Sequence, residues 1–289
     1  MFVPAMGHLI YLNGSLLDAE HARLSVFDRG LLYGDGIFET MRSYSGRIHL
    51  LRRHLDRLQE GARFLGISIP AQEALVEAIG MLIDANGIAD AVLRLTLTRG
   101  IGESLDPGEA REEPTILITH KPLLHIGDLP RVERMITVRA IHSHPAIGVR
   151  LKALNYLPAV VAAGELRRAG AGEGLLLTAE GVVAEGTVST IFSVRGGRLR
   201  TPPLELGVLP GITRGRVLEL ARALGIEVCE EQFGRASLLA GEECFYANSV
   251  RELVAVDSLD GERFAAAAPG EVTRRLLEAY RGEIPNEEA

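Results

Sequence analysis

Two cysteines in 289 residues, Cys229 and Cys244, are too few for a disulfide framework. Each sits in an apolar, strand-like setting that suits a buried free thiol in a reducing cytoplasm. Basic residues are also in deficit: 31 Lys and Arg stand against 38 Asp and Glu, a formal net charge of -7. A polyanionic partner such as nucleic acid draws on a basic surplus, which this chain lacks. No apolar run approaches the roughly 20 residues that span a bilayer, and Met1 to His8 lacks the basic-then-apolar order of a signal peptide. Internal repeats and low-complexity tracts are absent as well. These absences leave a soluble cytoplasmic protein with no nucleic-acid or membrane partner as the expectation. A hydrophobic share of 47% is enough for a sizeable core, and the length suits two lobes.

Periodicity divides the chain into short elements. Leu9 to Leu12 reads as a strand, turned at Asn13-Gly14, a pair that tolerates positive φ. Ile37 to Tyr44 resembles a second strand, turned at Ser45-Gly46 into Arg47 to Leu50. Leu51, Leu55, Leu58, Ala62 and Leu65 recur at helical spacing, and a further helix after Pro70 carries Leu75, Ile79 and Leu82 and stops at Asn86-Gly87. Leu93, Leu95 and Leu97 alternate with Arg94, Thr96 and Thr98, so one face is buried and the other polar. Thr115 to Thr119 is another strand. Two prolines and a glycine in Lys121 to Arg131 place a linker there, between an N-terminal lobe of residues 1–120 and a C-terminal lobe of residues 132–289. The second lobe alternates short strands with helices after Asn155, from Thr213 to Leu224 and near Val272 to Tyr280, an α+β pattern. The Pro-Asn-Glu-Glu-Ala ending reads as a frayed tail.

Three local features could carry chemistry. Leu209-Pro210-Gly211-Ile212-Thr213-Arg214 is a glycine-bearing turn leading into a helix, with Thr213 near the N-cap. Free N–H groups, the helix dipole and a hydroxyl together suit an anion, and an ordinary capped helix has the same pattern. Lys152 stands in a mostly apolar stretch between strand and helix. Burial there would favour the neutral amine needed for Schiff-base chemistry; a surface lysine with a buried stem is the alternative. Glu185 follows Val182-Val183-Ala184 and precedes Gly186, where it could hold a pyridine nitrogen protonated or stand as a solvated turn residue. Arg94, on the polar face of its strand, could receive a substrate carboxylate or close an internal salt bridge.

Read together, these segments resemble the class IV, or fold type IV, pyridoxal-phosphate enzymes, which include branched-chain aminotransferases, D-amino-acid aminotransferases and 4-amino-4-deoxychorismate lyases. The likeness runs in the family's order through Asp28-Arg29-Gly30, Tyr33-Gly34-Asp35-Gly36-Ile37-Phe38-Glu39, His54-Leu55-Asp56-Arg57-Leu58, Leu151 to Tyr156, Glu185-Gly186-Thr187-Val188-Ser189 and Leu209 to Arg214. It implies a smaller N-terminal α/β lobe and a larger C-terminal lobe with a pseudo-barrel, the latter carrying the Schiff-base lysine.

The resemblance further implies pyridoxal 5'-phosphate as cofactor and no metal. Lys152 would anchor the cofactor and shuttle a proton between the substrate Cα and the cofactor C4′. Glu185 would pair with the ring nitrogen, Leu209 would pack on the ring and Tyr156 would lie near its phenolic oxygen. Arg57, read locally as an exposed helix charge, would bind the phosphate with Ile212, Thr213 and Ser249. Tyr33, Phe38, Arg42, Arg94 and Val250 are the implied substrate pocket. The implied reaction is amino-group exchange between an apolar, preferably branched-chain, amino acid and a 2-oxo acid such as 2-oxoglutarate, in a homodimer. Alternatives are a lyase releasing pyruvate from aminodeoxychorismate, a D-amino-acid aminotransferase with a non-standard carboxylate trap, and a non-catalytic fold homologue. Three departures from the family pattern stand out: Ser189-Thr190 in place of Ser-Asn, a Lys152-to-Tyr156 spacing one residue shorter than the glycine-containing form, and no Arg-x-His after Arg99-Gly100.

Overall fold

The computed structural model describes residues 8–110, 113–123, 131–142 and 151–284. The expected start segment, most of the linker and the C-terminal tail lie outside the described residues. Two compact units emerge: residues up to 123 together with 151–155, and residues 131–142 together with 156–284.

The first unit is one antiparallel sheet with helices on its apolar face. Its elements are β1 (Leu9–Leu12), β2 (Ser15–Asp18), α1 (Arg29–Tyr33), β3 (Gly36–Tyr44), β4 (Arg47–Ile48), α2 (Leu51–Leu65), α3 (Gln72–Asn86), β5 (Ala91–Thr98) and β6 (Thr115–Pro122). The strand order is β2-β1-β6-β5-β3-β4. Both expected hairpins form. Asn13 and Gly14 have φ of 46° and 93°, Ser45 and Gly46 have 49° and 83°, so each two-residue turn matches the twist of its strands. Ile37, Met41, Leu93, Leu95 and Leu97 fill one face of the sheet against Leu55 and Leu58 of α2 and Leu75, Ile79 and Leu82 of α3. Each such side chain contributes about 1.5–3 kcal/mol by leaving water. The opposite face of β3 and β5 is left for Phe38, Thr40, Arg42, Arg94 and Thr96, where Phe38 faces Thr96 and Thr40 faces Arg94.

β6 runs to Pro122, its last residues paired with Val92 and Ala91, so the strand enters the segment expected to be linker. The segment 151–155 also departs from expectation. It packs with the first unit, because residues 152–154 hydrogen-bond along the edge of β3 that the short β4 leaves uncovered: Phe38 N donates to the Lys152 carbonyl at 2.9 Å and Leu154 N to the Gly36 carbonyl at 3.1 Å.

The second unit contains β7 (Val132–Ile141), α4 (Leu157–Ala169), β8 (Glu173–Leu177), β9 (Val183–Gly186), β10 (Thr190–Arg195), β11 (Arg198–Thr201), α5 (Ile212–Ala223), β12 (Val228–Glu230), α6 (Arg235–Leu239), β13 (Glu243–Asn248), β14 (Glu252–Leu259), β15 (Glu262–Arg263) and α7 (Glu271–Glu283). Its sheet has the order β12-β11-β10-β13-β14-β7-β8-β9, with β15 on β14. The sheet curls into a half-barrel. β7 lies parallel to β8 and β14, and α4 supplies the crossover from β7 to β8, as a parallel pair requires. On one side α5 and α7 cover Phe192 and Phe245, whose rings stack at 4.8 Å. The α+β expectation holds. No helix among the described residues is long and apolar enough to cross a membrane.

Candidate active site

In the first unit, Lys152 stands beside the sheet's polar face. Its Nζ lies 4.6 Å from the centroid of the Phe38 ring, and the Arg94 guanidinium lies 3.5 Å from the same centroid. Phe38 is buried, so its ring is a fixed platform flanked by two cations. The Lys152 backbone is fixed as well, since the segment is bonded to β3 and Ala153 bridges Ile37. Gly34 is needed where this segment passes: it has φ 67°, and a Cβ there would stand 2.1 Å from Asn155 Oδ1.

Arg57 is not an exposed helix charge. It projects from α2 onto Glu39 of β3, donating from Nε to Oε1 at 2.8 Å and from Nη2 to Oε2 at 2.7 Å. His54 Nδ1 meets the same Glu39 Oε2 at 2.7 Å, and the His54 and Glu39 side chains are each only 1% exposed. Burial would raise the Glu39 pKa, but the hydrogen bonds from His54 and Arg57 and the arginine charge prevail and hold it at about 2. His54 goes the other way from an isolated ion pair: burial is the largest influence, Arg57 and Lys152 add to it, and its pKa is lowered. A neutral imidazole donating Nδ1–H therefore joins a fully charged carboxylate and guanidinium. The fork of Arg57 is thereby locked in orientation.

The other first-unit candidates have defined surroundings. Tyr33, at the end of α1, donates its hydroxyl to the Glu103 carbonyl at 2.5 Å. Arg42 is buried and stacks over Tyr44 at 4.1 Å. Asp28 caps α1 by accepting from Gly30 N at 2.7 Å and also accepts from Thr98 and Thr115.

In the second unit, Glu185 is the next-to-last residue of β9 and is held on both oxygens. Leu209 N donates to Oε2 at 3.2 Å, and His142 Nδ1 lies 3.2 Å from Oε1. A carboxylate so held is no freely solvated turn residue. The turn that follows is built on a second carboxylate. Glu173 is 2% exposed and accepts from Gly174 N at 2.8 Å, Thr187 N at 3.0 Å, Ser189 Oγ at 2.8 Å and the Thr187 hydroxyl. Gly186 is required inside it, since a Cβ would stand 2.1 Å from Ser189 Oγ.

Leu209 precedes α5, which begins at Ile212 with Gly211, not Thr213, as its N-cap. Thr213 instead turns its hydroxyl toward Ser249 Oγ at 3.4 Å, and is 2% exposed. The N–H groups of a helix's first turn have no partners within the helix, so two hydroxyls and these amides converge where an anion is favoured. Asn248 Oδ1 accepts from Val250 N and Arg251 N, shaping the turn that carries Ser249 and Val250. Tyr156 is the residue immediately before α4 and is half-buried.

Sequence reasoning assigned no role to Glu39, His54, Glu173 or His142. Glu39 and His54 lie within the segments that carry the resemblance, but partners 15 residues apart on a strand and a helix leave no local pattern. His142 and Glu185 are separated by several intervening elements, which leaves still less.

The model of the family described as Amino-transferase class IV matches residues 36–259, most of the chain. The chain belongs to the class IV aminotransferases. Similar curated proteins include a Methanocaldococcus jannaschii chain named "Putative branched-chain-amino-acid aminotransferase", 39% identical and matched over 94% of this chain and 95% of that one. Another is the aminodeoxychorismate lyase of Bacillus subtilis, 32% identical over 96% of this chain and 95% of the relative. Among solved structures, the branched-chain aminotransferase of the thermophilic archaeon Thermoproteus uzoniensis with norvaline superposes with a TM-score of 0.88 at 32% identity, covering 97% of this chain and 95% of that one. Class IV aminotransferases use pyridoxal 5'-phosphate, and this member is a transaminase with that cofactor and the fold type IV architecture. Its residues fit the group. The first unit presents a primary amine on a rigid backbone, and the second presents a carboxylate held by two donors and a hydroxyl-lined helix start.

Proposed function

We propose that this class IV aminotransferase takes its amino group from a branched-chain or other apolar amino acid and passes it to a 2-oxo acid such as 2-oxoglutarate. The observation that carries the donor class is the buried Phe38 ring close to Lys152 and Arg94: it offers an apolar wall beside a primary amine and a guanidinium suited to a substrate carboxylate. The names of the similar branched-chain enzymes point the same way. When bound, the cofactor supplies an electron-poor ring that stabilises negative charge on the substrate Cα.

Each residue then has a defined task. Lys152 would hold the cofactor through its amine and would move the proton of the substrate Cα. Glu185 would face the ring nitrogen, and Leu209 would pack on the ring. In the first unit Arg57, pre-aligned by Glu39, would supply a guanidinium for the phosphate; in the second, the Ile212 and Thr213 amides and the Thr213 and Ser249 hydroxyls would supply anion donors. Tyr156 would serve the phenolic oxygen. Tyr33, Phe38, Arg42 and Arg94 would bind substrate from the first unit, with Arg94 receiving the carboxylate, and Val250 would do so from the second. The working form is a cytoplasmic homodimer with no nucleic-acid partner.

The test is spectral. A panel of L- and D-amino acids is added to the holoenzyme, and conversion to the pyridoxamine form is followed. Leucine, isoleucine and valine in the L series should convert it fastest; conversion by D-amino acids alone would reverse the stereochemical reading. Borohydride reduction and peptide mapping should label Lys152, and an unlabelled Lys152 would remove the anchor. The Bacillus subtilis relative favours a second reading, a lyase using the same lysine. Pyruvate formed from aminodeoxychorismate without an amino acceptor would establish it.

A further inference from the structure

The two ring nitrogens of His142 face two acceptors. Nδ1 lies 3.2 Å from Glu185 Oε1, and Nε2 lies 3.0 Å from the Leu206 carbonyl oxygen. A neutral imidazole has one N–H and so cannot donate to both. The backbone is no freer: His142 N donates to the Leu177 carbonyl at 2.8 Å, placing the ring directly after β7. The side chain is 8% exposed, so the ring is largely shielded from solvent.

Either the ring is an imidazolium facing a carboxylate, or Glu185 is protonated and donates to Nδ1. The Leu209 N–H on Oε2 decides between them, because a donor on the second oxygen favours the charged carboxylate. The hydrogen bond to Glu185 is also the strongest influence on His142 and raises its pKa; burial opposes it, and the Glu185 charge and the Leu206 carbonyl assist. Glu185 is the one charged group acting on His142 among the described residues.

We propose that His142 is a positioning residue that, as an imidazolium bridging Glu185 and the Leu206 carbonyl, holds the Glu185 carboxylate in one orientation. The inference rests on the assignment of Glu185 to the cofactor's ring nitrogen. With Leu209 N–H on one oxygen and His142 on the other, the carboxylate that would face the ring nitrogen is set in place by the protein itself. Glu185 would support the ring's protonation, and His142 fixes the orientation of Glu185.

The test uses the full-length chain, unloaded and as holoenzyme. With ¹⁵N-labelled histidine, His142 of the unloaded protein should carry protons on both nitrogens at neutral pH and titrate above the ordinary value near 6.5. In Glu185→Gln that titration should return to about 6.5 or below. In the holoenzyme, His142→Phe should move the pH midpoint of the cofactor's visible absorption and weaken cofactor retention roughly tenfold, the scale of a lost charged hydrogen bond. His142→Asn, whose amide can still donate to Glu185, should recover part of the retention. A wild-type His142 that titrates at or below its ordinary value would overturn the proposal, as would an unchanged spectrum and retention in His142→Phe while Glu185→Gln alters both. If Glu185→Gln alters neither, the assignment of Glu185 falls, and this inference with it.

Discussion

The first and second units each hold a glutamate against a histidine Nδ1, and the two histidine pKa values move in opposite directions. Glu39 and His54 are both sealed from water, and Arg57 adds its charge on the same carboxylate. Burial is the largest influence on His54 and lowers its pKa, and the Arg57 and Lys152 charges add to it. Among the described residues Glu185 meets no guanidinium, only a backbone N–H and His142, and there the hydrogen bond to Glu185 outweighs burial and raises the histidine pKa. A histidine beside a carboxylate is thus not a fixed chemical unit. Depth of burial and neighbouring cations decide which way its pKa moves.

The largest effect should come from breaking the sealed pair. Glu39→Ala leaves Arg57 and His54 buried without their shared acceptor and should cost about 3–5 kcal/mol in urea unfolding. Glu39→Gln, which keeps one acceptor oxygen, should cost less. A Glu39→Ala protein of unchanged stability would show that Arg57 is held by something else. The turns that carry the two sites come next. Gly34→Ala places a side chain at φ 67° against Asn155 and should cost about 1–2 kcal/mol for the left-handed backbone alone, with a matching loss in thermal midpoint. Ser189→Ala removes one of four donors to buried Glu173, and should cost roughly 1 kcal/mol while loosening the Glu185 turn.

The smallest effect sharpens the contrast in sign. The lowered pKa of Glu39 makes its contribution to stability complete above the unfolded value and lost as pH falls from about 4.5 toward 2. His54, lowered below 6.5, likewise destabilises as pH falls below that value. His142, raised, contributes fully below 6.5 and loses its contribution as pH rises through its folded value. The stability gap between wild type and Glu185→Gln should therefore narrow on going from about pH 6 to alkaline pH, whereas the gap for Glu39→Gln should narrow on acidification below 4.5. Gaps that both narrow in the same direction would contradict the opposite pKa shifts.

Elements with a repeating apolar stripe were legible in the sequence. The spacing from Leu51 to Leu65 coincides with α2, and Asn86-Gly87 ends α3, with Gly87 at φ 60°. Elements held by end contacts or charges escaped. α1 is five residues long with no period, and its only marks are Asp28 and Gly34 at its ends. β11 reads Arg-Leu-Arg-Thr and is a strand because Leu199 is buried and Arg200 pairs with Glu231. Similarly, Lys152 and Glu185 could be singled out from their motifs, but the side chains packed against them could not. Those supports join distant strands, and only the folded sheet brings them together.

The passage of residues 151–155 along the edge of β3 has a consequence for dissection of the molecule. The chain leaves the first unit, returns for this short segment, and leaves again into α4, so the unit boundary is crossed repeatedly. Cutting the gene at the Pro- and Gly-rich segment after β6 would sever Lys152 from the Phe38 ring it rests against. Neither half would be a self-contained module, because residues 151–155 belong to the first unit.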